Sequence, residues 1–191
     1  MLGTGLGVGV WRGGGSRGDT VAIAGAGPIG LGAVMTAKLY TPAHIIVIDL
    51  DDGRLAKAKE FGADITINNG HEDAVKRVLG LNGGFGADVA VEAVGLPSTF
   101  ELAAELIRAG GKLANVGVHG KAATLHLEKL WIKDVTITTG LVDTRTISQL
   151  LSLIEGCRLD PTVLATHHCP RYPAIGAYEV VANAATSHAR R

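Results

Sequence analysis

Residues 21–30 read VAIAGAGPIG, and this stretch decides the fold. A short apolar and β-branched run over residues 21–24 leads directly into a glycine-rich turn, which opens a helical stretch. Gly25, Gly27 and Gly30 have the GxGxxG spacing of turns that hold a dinucleotide. In such a turn the first glycine allows the sharp bend, the second leaves room for a pyrophosphate, and the third lets the helix pack closely on the sheet.

Strand-like runs alternate with helical patterns along most of the chain. Strands are predicted at residues 21–24, 45–48, 65–67, 89–93, 112–116 and 135–139. Helices are predicted over residues 28–40, 51–62, 72–79, 98–109, 146–155 and 173–183, with Gly110-Gly111 ending the fourth. Capping-box spacing, Ser98 with Glu101 and Thr146 with Gln149, supports two of the helix starts. The alternation predicts an α/β fold, a doubly wound parallel sheet of about six strands with helices on both faces, which is the Rossmann arrangement.

Asp49 follows the second predicted strand, nineteen residues after Gly30. A carboxylate there accepts hydrogen bonds from both ribose hydroxyls of an adenosine and repels a 2′-phosphate, which favours NAD over NADP. Arg54 complicates this preference, because its guanidinium could bind that phosphate. A helix-capping or surface carboxylate is the alternative for Asp49, and a solvated helix face is the alternative for Arg54.

Two further loops follow predicted strands at the edge where doubly wound folds bind ligands. They are residues 93–95 and 116–120, whose glycines and small apolar side chains suit a flat ring packed against backbone. Simple strand-ending turns are the alternative. His119 lies in the second loop and could act as an acid or base, although a single loop histidine is more often a surface or hydrogen-bonding residue.

The composition, 47% hydrophobic and 19% charged, is typical of a globular chain with a core. Eighteen Lys and Arg balance eighteen Asp and Glu, and aromatic residues make up only 4%. An electrostatic footprint for nucleic acid or an anionic membrane is therefore absent. The uncharged run over residues 20–37 is about the length of a membrane span, but its glycines and Pro28 favour strand, turn and helix. We expect neither nucleic acid nor a membrane as a partner.

Residues 1–18 contain eight glycines, and we expect them to form a mobile or irregular leader. A Rossmann domain is predicted over residues 19–184 and a tail over 185–191. The chain's start lacks the basic region of a signal peptide, and Cys157 and Cys169 form no CxxC pair. These features favour a cytoplasmic protein with two reduced, partly buried thiols.

The sequence contains no HExxH and no GxSxG motif. His167 and His168 are adjacent, and neighbouring residues on a strand point to opposite faces, so the pair is a poor metal site. We therefore predict no metal ligands and no catalytic residues in this chain.

Five runs together resemble the medium-chain dehydrogenase/reductase family, and more narrowly the coenzyme-binding domain of zinc-type alcohol dehydrogenases: GDTVAIAGAGPIGL, IIVIDLDDGRLAKAKEFGA, GADVAVEAVG, GGKLANVGVHG and ITTGLVDT. The resemblance extends over about residues 16–180. It implies an NAD cofactor with its adenosine ribose at Asp49 and Arg54 beside the adenosine. The pyrophosphate would lie on Gly25, Gly27, Pro28, Ile29 and Gly30, and the nicotinamide half on Val94, Val116, Gly117 and Val118, with Leu141 and Val142 nearby. The segment DVTITTGLV resembles the edge strand through which family members pair, which implies a homo-oligomer formed between Val135 and Leu141.

In the family, a separate and mostly N-terminal catalytic domain supplies the cysteine and histidine ligands of a catalytic zinc. Nothing in this sequence resembles that domain, and the family's last strand after the final helix is also lacking. We therefore expect a truncated NAD(H)-binding domain, with zinc only in a full-length parent that transfers a hydride between an alcohol and NAD. The alternative is a non-catalytic NAD(H)-binding module whose interactions respond to redox state. A methyltransferase also has a glycine turn and an acid on the second strand, but the Gly30 spacing and the VGVHG loop disfavour it.

Overall fold

A computed structural model describes residues 1–165, which are built around one parallel sheet. Its strands are β1 (Thr20–Ala24), β2 (His44–Asp49), β3 (Ile65–Asn68), β4 (Ala87–Glu92), β5 (Ile107–Asn115) and β6 (Thr136–Thr139). The six strands lie in the order β3-β2-β1-β4-β5-β6, and all neighbouring pairs are parallel. β1 is buried along its whole length, as expected for a central strand covered on both faces. The predicted Rossmann arrangement is confirmed.

Helical segments connect the strands. They are α1 (Leu2–Thr4), which continues as a π-helical segment over Gly5–Trp11, α2 (Pro28–Ala37), α3 (Asp52–Phe61), α4 (Ala74–Leu81), α5 (Pro97–Leu106), α6 (Leu127–Leu130) and α7 (Ile147–Glu155), with 3-10 turns at Lys38–Tyr40 and Pro161–Leu164. Asp51 caps α3 by accepting a hydrogen bond from the Arg54 N–H at 2.8 Å. Gly62 ends the same helix in the left-handed conformation, so both ends of α3 have ordinary capping chemistry.

Alternate residues of the strands form an apolar layer on each face of the sheet. On one face a buried cluster joins the sheet to α4, α5 and α6; it includes Ala22, Ile46, Val78, Ala90, Ala103, Leu113 and Leu130. On the other face, a side chain added at Gly9 would meet Val91 of β4 and Ala33 of α2. Helical segments therefore cover both faces of the sheet.

Residues 2–11, called the leader helix below, are ordered helical turns. Leu6 is 1% exposed and Val10 is 2% exposed. A Cβ atom added at Gly5 would come within 2.5 Å of the backbone of Ala33. The prediction of a mobile or irregular leader over residues 1–18 was wrong for residues 2–11, because glycine there permits close packing against α2 and the apolar residues between the glycines are buried.

The junction of α5 and β5 also differs from the prediction. The helix ends at Leu106, so Gly110 and Gly111 lie inside a strand and not at a helix end. The pairing with β4 changes register here, because Ala87 pairs with Ile107 but Val89 pairs with Lys112. Gly110 has a φ of +70°, and the glycine pair lies in this irregular part of the strand, where β5 has three more residues than β4.

The predicted capping boxes are not formed. At the start of α5, the hydroxyl of Thr99 accepts a hydrogen bond from the Leu96 N–H at 3.3 Å, and Ser98 and Glu101 make no capping bond. At α7, the Thr146 side chain makes no capping bond, and its hydroxyl is buried. Capping-box spacing identified where these helices begin without identifying the atoms that cap them.

The chain divides into two compact units, Met1–Leu159 and Asp160–Arg191. In the described part of the second, the Asp160 carboxylate accepts hydrogen bonds from the N–H and hydroxyl of Thr162. The predicted helix over residues 173–183, the predicted tail, His167, His168 and Cys169 lie outside the described residues. Within residues 1–165, no helix is long and apolar enough to cross a membrane.

Candidate functional site

The order of the strands changes direction between β1 and β4. From β1 the chain moves outward through β2 and β3, and it then returns to the other side of β1 and continues through β4, β5 and β6. The connections after β1 and β4 therefore separate and leave a crevice at the carboxyl ends of the two strands, where doubly wound folds bind ligands. Residues 25–30 follow β1 at this crevice, and residues 93–95 follow β4.

The turn after β1 depends on missing side chains at two positions. Gly25 has a φ of +106°, and a Cβ atom there would come within 2.5 Å of Val94 Cγ2. A Cβ atom at Gly30 would overlap the carbonyl oxygen of Gly25, so α2 packs on the turn only because residue 30 is glycine. At Gly27, by contrast, an added Cβ would meet nothing within 4 Å. Gly27 therefore borders open space, which leaves room for a ligand against the backbone.

The start of α2 carries backbone amides that no side chain caps. Gly27 is the N-cap residue, and Pro28 occupies the first turn without an N–H group of its own. The N–H groups of Ile29 and Gly30 have no intrahelical acceptor, as in the first turn of any α-helix. Together with the positive end of the helix dipole, these amides can bind an anion.

Asp49 ends β2, and its carboxylate is bound to the glycine-rich turn. Oδ2 accepts a hydrogen bond from the Ala26 N–H at 2.7 Å. Oδ1 accepts from the N–H groups of Leu50 at 2.8 Å and Asp51 at 3.1 Å. A carboxylate has about four acceptor positions, so these bonds orient the group and leave capacity for a hydroxyl. The structure thus brings Asp49 and residues 25–30 together.

Arg54 lies in the first turn of α3, and its side chain is exposed. Its backbone N–H caps the helix on Asp51, but its guanidinium forms no ion pair with the rest of the described chain. Arg54 therefore presents a solvated cation five residues after Asp49, and its guanidinium takes no part in the hydrogen bonds around that carboxylate.

The loops after β4 and β5 are held together by close backbone approach. Gly95 has a φ of +91°, and a Cβ there would lie 2.5 Å from the carbonyl oxygen of Val118. A Cβ at Gly117 would overlap both the Gly95 nitrogen and Glu92 Oε2. Val94 and Val118 are 45% and 86% exposed, so these loops present apolar side chains to solvent.

Glu92, the last residue of β4, was not among the residues predicted to form a site. Its side chain is fully buried. Oε1 accepts hydrogen bonds from the N–H groups of Val94 at 2.9 Å and Gly95 at 2.8 Å, and from the Thr99 hydroxyl at 2.7 Å. The available sequence signal was an acid inside an apolar strand pattern, since a carboxylate is rarely buried without a specific set of donors.

His119 is a hydrogen-bonding residue of the second loop. Its Nε2 lies 2.9 Å from Asn115 Oδ1 and 3.4 Å from Glu92 Oε2. Because an amide oxygen only accepts hydrogen bonds, Nε2 carries the hydrogen and donates it to Asn115. The ring is therefore part of the structure that joins the two loops.

Leu141 and Val142 follow β6, and both are exposed. Their loop is tied to the leader helix by an ion pair of 3.0 Å between Arg12 Nη2 and Asp143 Oδ2. Arg145 binds the same carboxylate, and its hydrogen bond lowers the pKa of Asp143 below the usual value for an aspartate. The loop is thus positioned by charge pairs and not by burial of its apolar side chains.

Comparison with known proteins identifies the family. The family model for zinc-binding dehydrogenases matches residues 28–156, which is most of the chain. This chain belongs to the zinc-binding dehydrogenase family. The resemblance inferred from the five sequence runs is therefore confirmed.

The similar members of the zinc-binding dehydrogenase family are longer than this chain. An alcohol dehydrogenase of Cupriavidus necator is 36% identical over 170 residues, which are 87% of this chain and 46% of that protein. A sorbitol dehydrogenase of Rattus norvegicus is 33% identical over 180 residues, 91% of this chain and 50% of that protein. The solved apo form of zinc dependent alcohol dehydrogenase 2 from Streptococcus pneumonia matches with a TM-score of 0.94 and 45% identity, over 98% of this chain and 55% of that one. The chain spans about half the length of the relatives it matches.

The described part of this family member has no cluster of metal ligands. Within residues 1–165, no three His, Cys, Asp or Glu side chains lie together in a way that could hold a metal ion. Cys157 was expected to be partly buried but is exposed, because it follows the end of α7 in a surface turn with a φ of +54°. We therefore assign zinc to none of the described residues.

Proposed function

We propose that this chain binds NAD(H) in the crevice between β1 and β4. The observation that carries the proposal is the pairing of open backbone at Gly27 with the Asp49 carboxylate, which the Ala26 N–H holds at 2.7 Å. A pyrophosphate requires the open backbone, and an adenosine ribose requires the carboxylate. The residues present therefore fit the dinucleotide that the family relationship implies.

Each half of the dinucleotide has its own set of residues in this proposal. The amides of Ile29 and Gly30, with Gly25, Gly27 and Pro28 shaping the turn, hold the pyrophosphate. Asp49 binds the adenosine ribose, and Arg54 lies beside the adenosine. The nicotinamide half packs on Val94, Val116, Gly117 and Val118, with Leu141 and Val142 nearby.

Asp49 favours NAD over NADP in this proposal. Three backbone N–H groups hold its carboxylate in one orientation, so the group cannot turn away from a 2′-phosphate. Repulsion between the two anions then weakens NADP binding. Arg54 is exposed, and its positive charge offsets part of this repulsion.

We further propose that the whole protein is an alcohol-dehydrogenase-type oxidoreductase, which moves a hydride between an alcohol carbon and the nicotinamide. Bound NAD would supply the hydride acceptor. The residues of this chain would bind the cofactor, orient its ring and exclude water from one face of it. Because the described residues include no zinc ligand set, we assign activation of the alcohol to none of them.

The edge of the sheet supports a homodimer as part of the proposal. β6 pairs with β5 on one side only within the described sheet, so its other side carries free backbone groups. Next to it, Trp131 is 75% exposed and Ile132 is similarly exposed. A second copy pairing at the segment between Val135 and Leu141 would cover both features.

Calorimetric titration of the full 191-residue chain with NADH and NADPH tests the cofactor proposal. We expect one saturable site that prefers NADH. A folded chain that binds neither nucleotide would contradict it.

A second experiment separates an active dehydrogenase from a non-catalytic module. Alcohols, NAD and zinc are added to the chain, and absorbance at 340 nm is followed; an active dehydrogenase would form NADH. For a non-catalytic module, NADH would change the oligomeric state and no turnover would be seen.

A further inference from the structure

Glu92 is a buried carboxylate at the crevice. The cofactor binding proposed above assigns no role to it. Its side chain is 0% exposed. Oε1 has three donors, whereas Oε2 has no hydrogen-bond partner among residues 1–165. An incompletely bonded carboxylate in a low-dielectric interior is unfavourable, so its presence calls for a function beyond packing.

Glu92 connects three segments at the carboxyl edge of the sheet. Its Oε1 holds the loop over residues 93–95 and, through the Thr99 hydroxyl, the first turn of α5. Its backbone carbonyl accepts hydrogen bonds from the N–H groups of Val116 at 2.8 Å and Gly117 at 3.1 Å, at the end of β5. One residue therefore sets the spacing between the loops that follow β4 and β5.

His119 and Asn115 complete this network from the β5 side. Asn115 Nδ2 donates to the Gly117 carbonyl at 3.1 Å while its Oδ1 accepts from His119. The ring of Phe100 meets the imidazole edge-on, with the ring centres 6.0 Å apart. His119 Nδ1 is buried and has no hydrogen-bond partner within the described chain. The ring is thus fixed by one hydrogen bond and by packing, and its Nε2 lies 3.4 Å from Oε2 of Glu92.

The segments joined by Glu92 are those assigned above to the nicotinamide half. Val94 and Val118 are exposed and receive little support from side-chain packing, so the network behind them determines where they lie. The adenosine half depends on a different carboxylate, because Asp49 is bonded to Ala26 and to residues 50–51 and shares no partner with Glu92. The hydrogen bonds of the two carboxylates are therefore separate, although Val94 lies close to Gly25.

On the basis of the proposed function, we propose that Glu92, together with His119, is a positioning residue for the nicotinamide half of NAD(H). The pair holds the loops over residues 93–95 and 116–120 at the spacing that lets the ring pack between them. Replacing the Glu92 carboxylate, which accepts three hydrogen bonds, loosens this half of the site and leaves the adenosine half unchanged. The signature is a selective loss of affinity for nucleotides that carry the nicotinamide ring.

The test titrates the full chain with NADH and with ADP-ribose, which lacks the nicotinamide ring. For Glu92→Gln we expect the Kd of NADH to rise about tenfold and that of ADP-ribose to change less than about twofold. His119→Ala should give the same selective loss. Glu60→Gln, at an exposed acid near the end of α3, should change neither Kd. Asp49→Asn should weaken the binding of both ligands, since both contain the adenosine ribose. It therefore shows the effect of damaging the adenosine half of the site.

The outcomes distinguish a failure of this proposal from a failure of the proposed NAD(H) binding on which it rests. The positioning role would be overturned if the variants lost affinity equally for NADH and ADP-ribose, or if neither variant lost affinity for NADH. In both cases, binding by the wild-type chain would still support the proposed function. A wild-type chain that binds neither ligand would overturn both. If thermal melting shows that Glu92→Gln does not fold, His119→Ala, at the more accessible partner, decides the question with the same expected split.

Discussion

Backbone amides orient both carboxylates of the crevice. Asp49 accepts three N–H groups, and Glu92 accepts two together with the Thr99 hydroxyl. Amides at the ends of strands have little freedom to move, so each carboxylate is held in place before a ligand arrives. Such preorganisation reduces the ordering cost of binding.

Replacing Asp49 by asparagine should weaken NADH binding by about 1–3 kcal/mol, since an amide group cannot accept at both oxygen positions and carries no charge. The preference for NADH over NADPH should narrow at the same time. Isothermal titration of the variant measures both effects. Glu60→Gln, at an exposed acid of α3, is the matched control. An unchanged NADH affinity in Asp49→Asn would show that the ribose lies elsewhere.

Asp143 should contribute a pH-dependent part of the stability. The hydrogen bond from Arg145 lowers its pKa in the folded state, so the ionised pair stabilises the fold above the ordinary aspartate value, near pH ~4. That stabilisation is lost as the pH falls through the lowered folded-state pKa. We expect Asp143→Asn to unfold at lower urea than wild type at pH 7, and the two midpoints to converge toward pH ~3. Midpoints that stay equally far apart over this range would contradict the ion-pair role.

At the scale of elements, α2 begins with glycines that have opposite requirements. Gly30→Ala should destabilise the domain by about 1–3 kcal/mol, because its Cβ overlaps the Gly25 carbonyl. Gly27→Val should fold normally, since its position is open and its backbone is extended, yet abolish NADH binding by filling the pyrophosphate space. Urea denaturation and NADH titration of the two variants measure the split. Binding by folded Gly27→Val would place the phosphates elsewhere.

The leader helix is a second element whose glycines can be tested. Gly5→Ala should lower the unfolding free energy by about 1–3 kcal/mol, because the added methyl group enters the backbone of α2 at Gly32 and Ala33. Gly3→Ala is the matched control, since its Cβ would make only an ordinary contact at 3.7 Å. Equal urea midpoints for the two variants would indicate that the leader helix does not pack on α2.

At the scale of the whole molecule, the exposed residues beside β6 predict self-association. Trp131→Glu should shift a dimer toward monomer, because the new charge would be buried in the proposed interface. Light scattering coupled to gel filtration measures the mass. Leu50→Glu, at an exposed apolar residue after β2, should leave the mass unchanged. A monomeric wild-type chain would remove the basis for pairing through this edge.

The sheet and its crevice could be predicted from the sequence because their signals are local. Apolar runs separated by helical patterns predicted the six strands, and the turn over residues 25–30 predicted where the first strand opens into α2. Asp49 could be placed beside that turn because the carboxyl ends of adjacent parallel strands share one edge.

Features that depend on tertiary partners were not predictable in this way. Whether a glycine-rich stretch is mobile depends on a helix that accepts close approach, as α2 does at Gly5. The register shift at Gly110 depends on pairing with β4, and the burial of Glu92 depends on donors from Val94, Gly95 and Thr99. In each case, the residue type is compatible with an ordinary surface role until the neighbouring elements are known.

A crystal structure of the full chain with NADH tests the central claim most directly. The cofactor should lie across the carboxyl ends of β1 and β4, with its pyrophosphate against Gly27 and an adenosine ribose hydroxyl bonded to Asp49. A dinucleotide bound at another surface, or a crevice still empty in crystals grown at saturating NADH, would contradict the account.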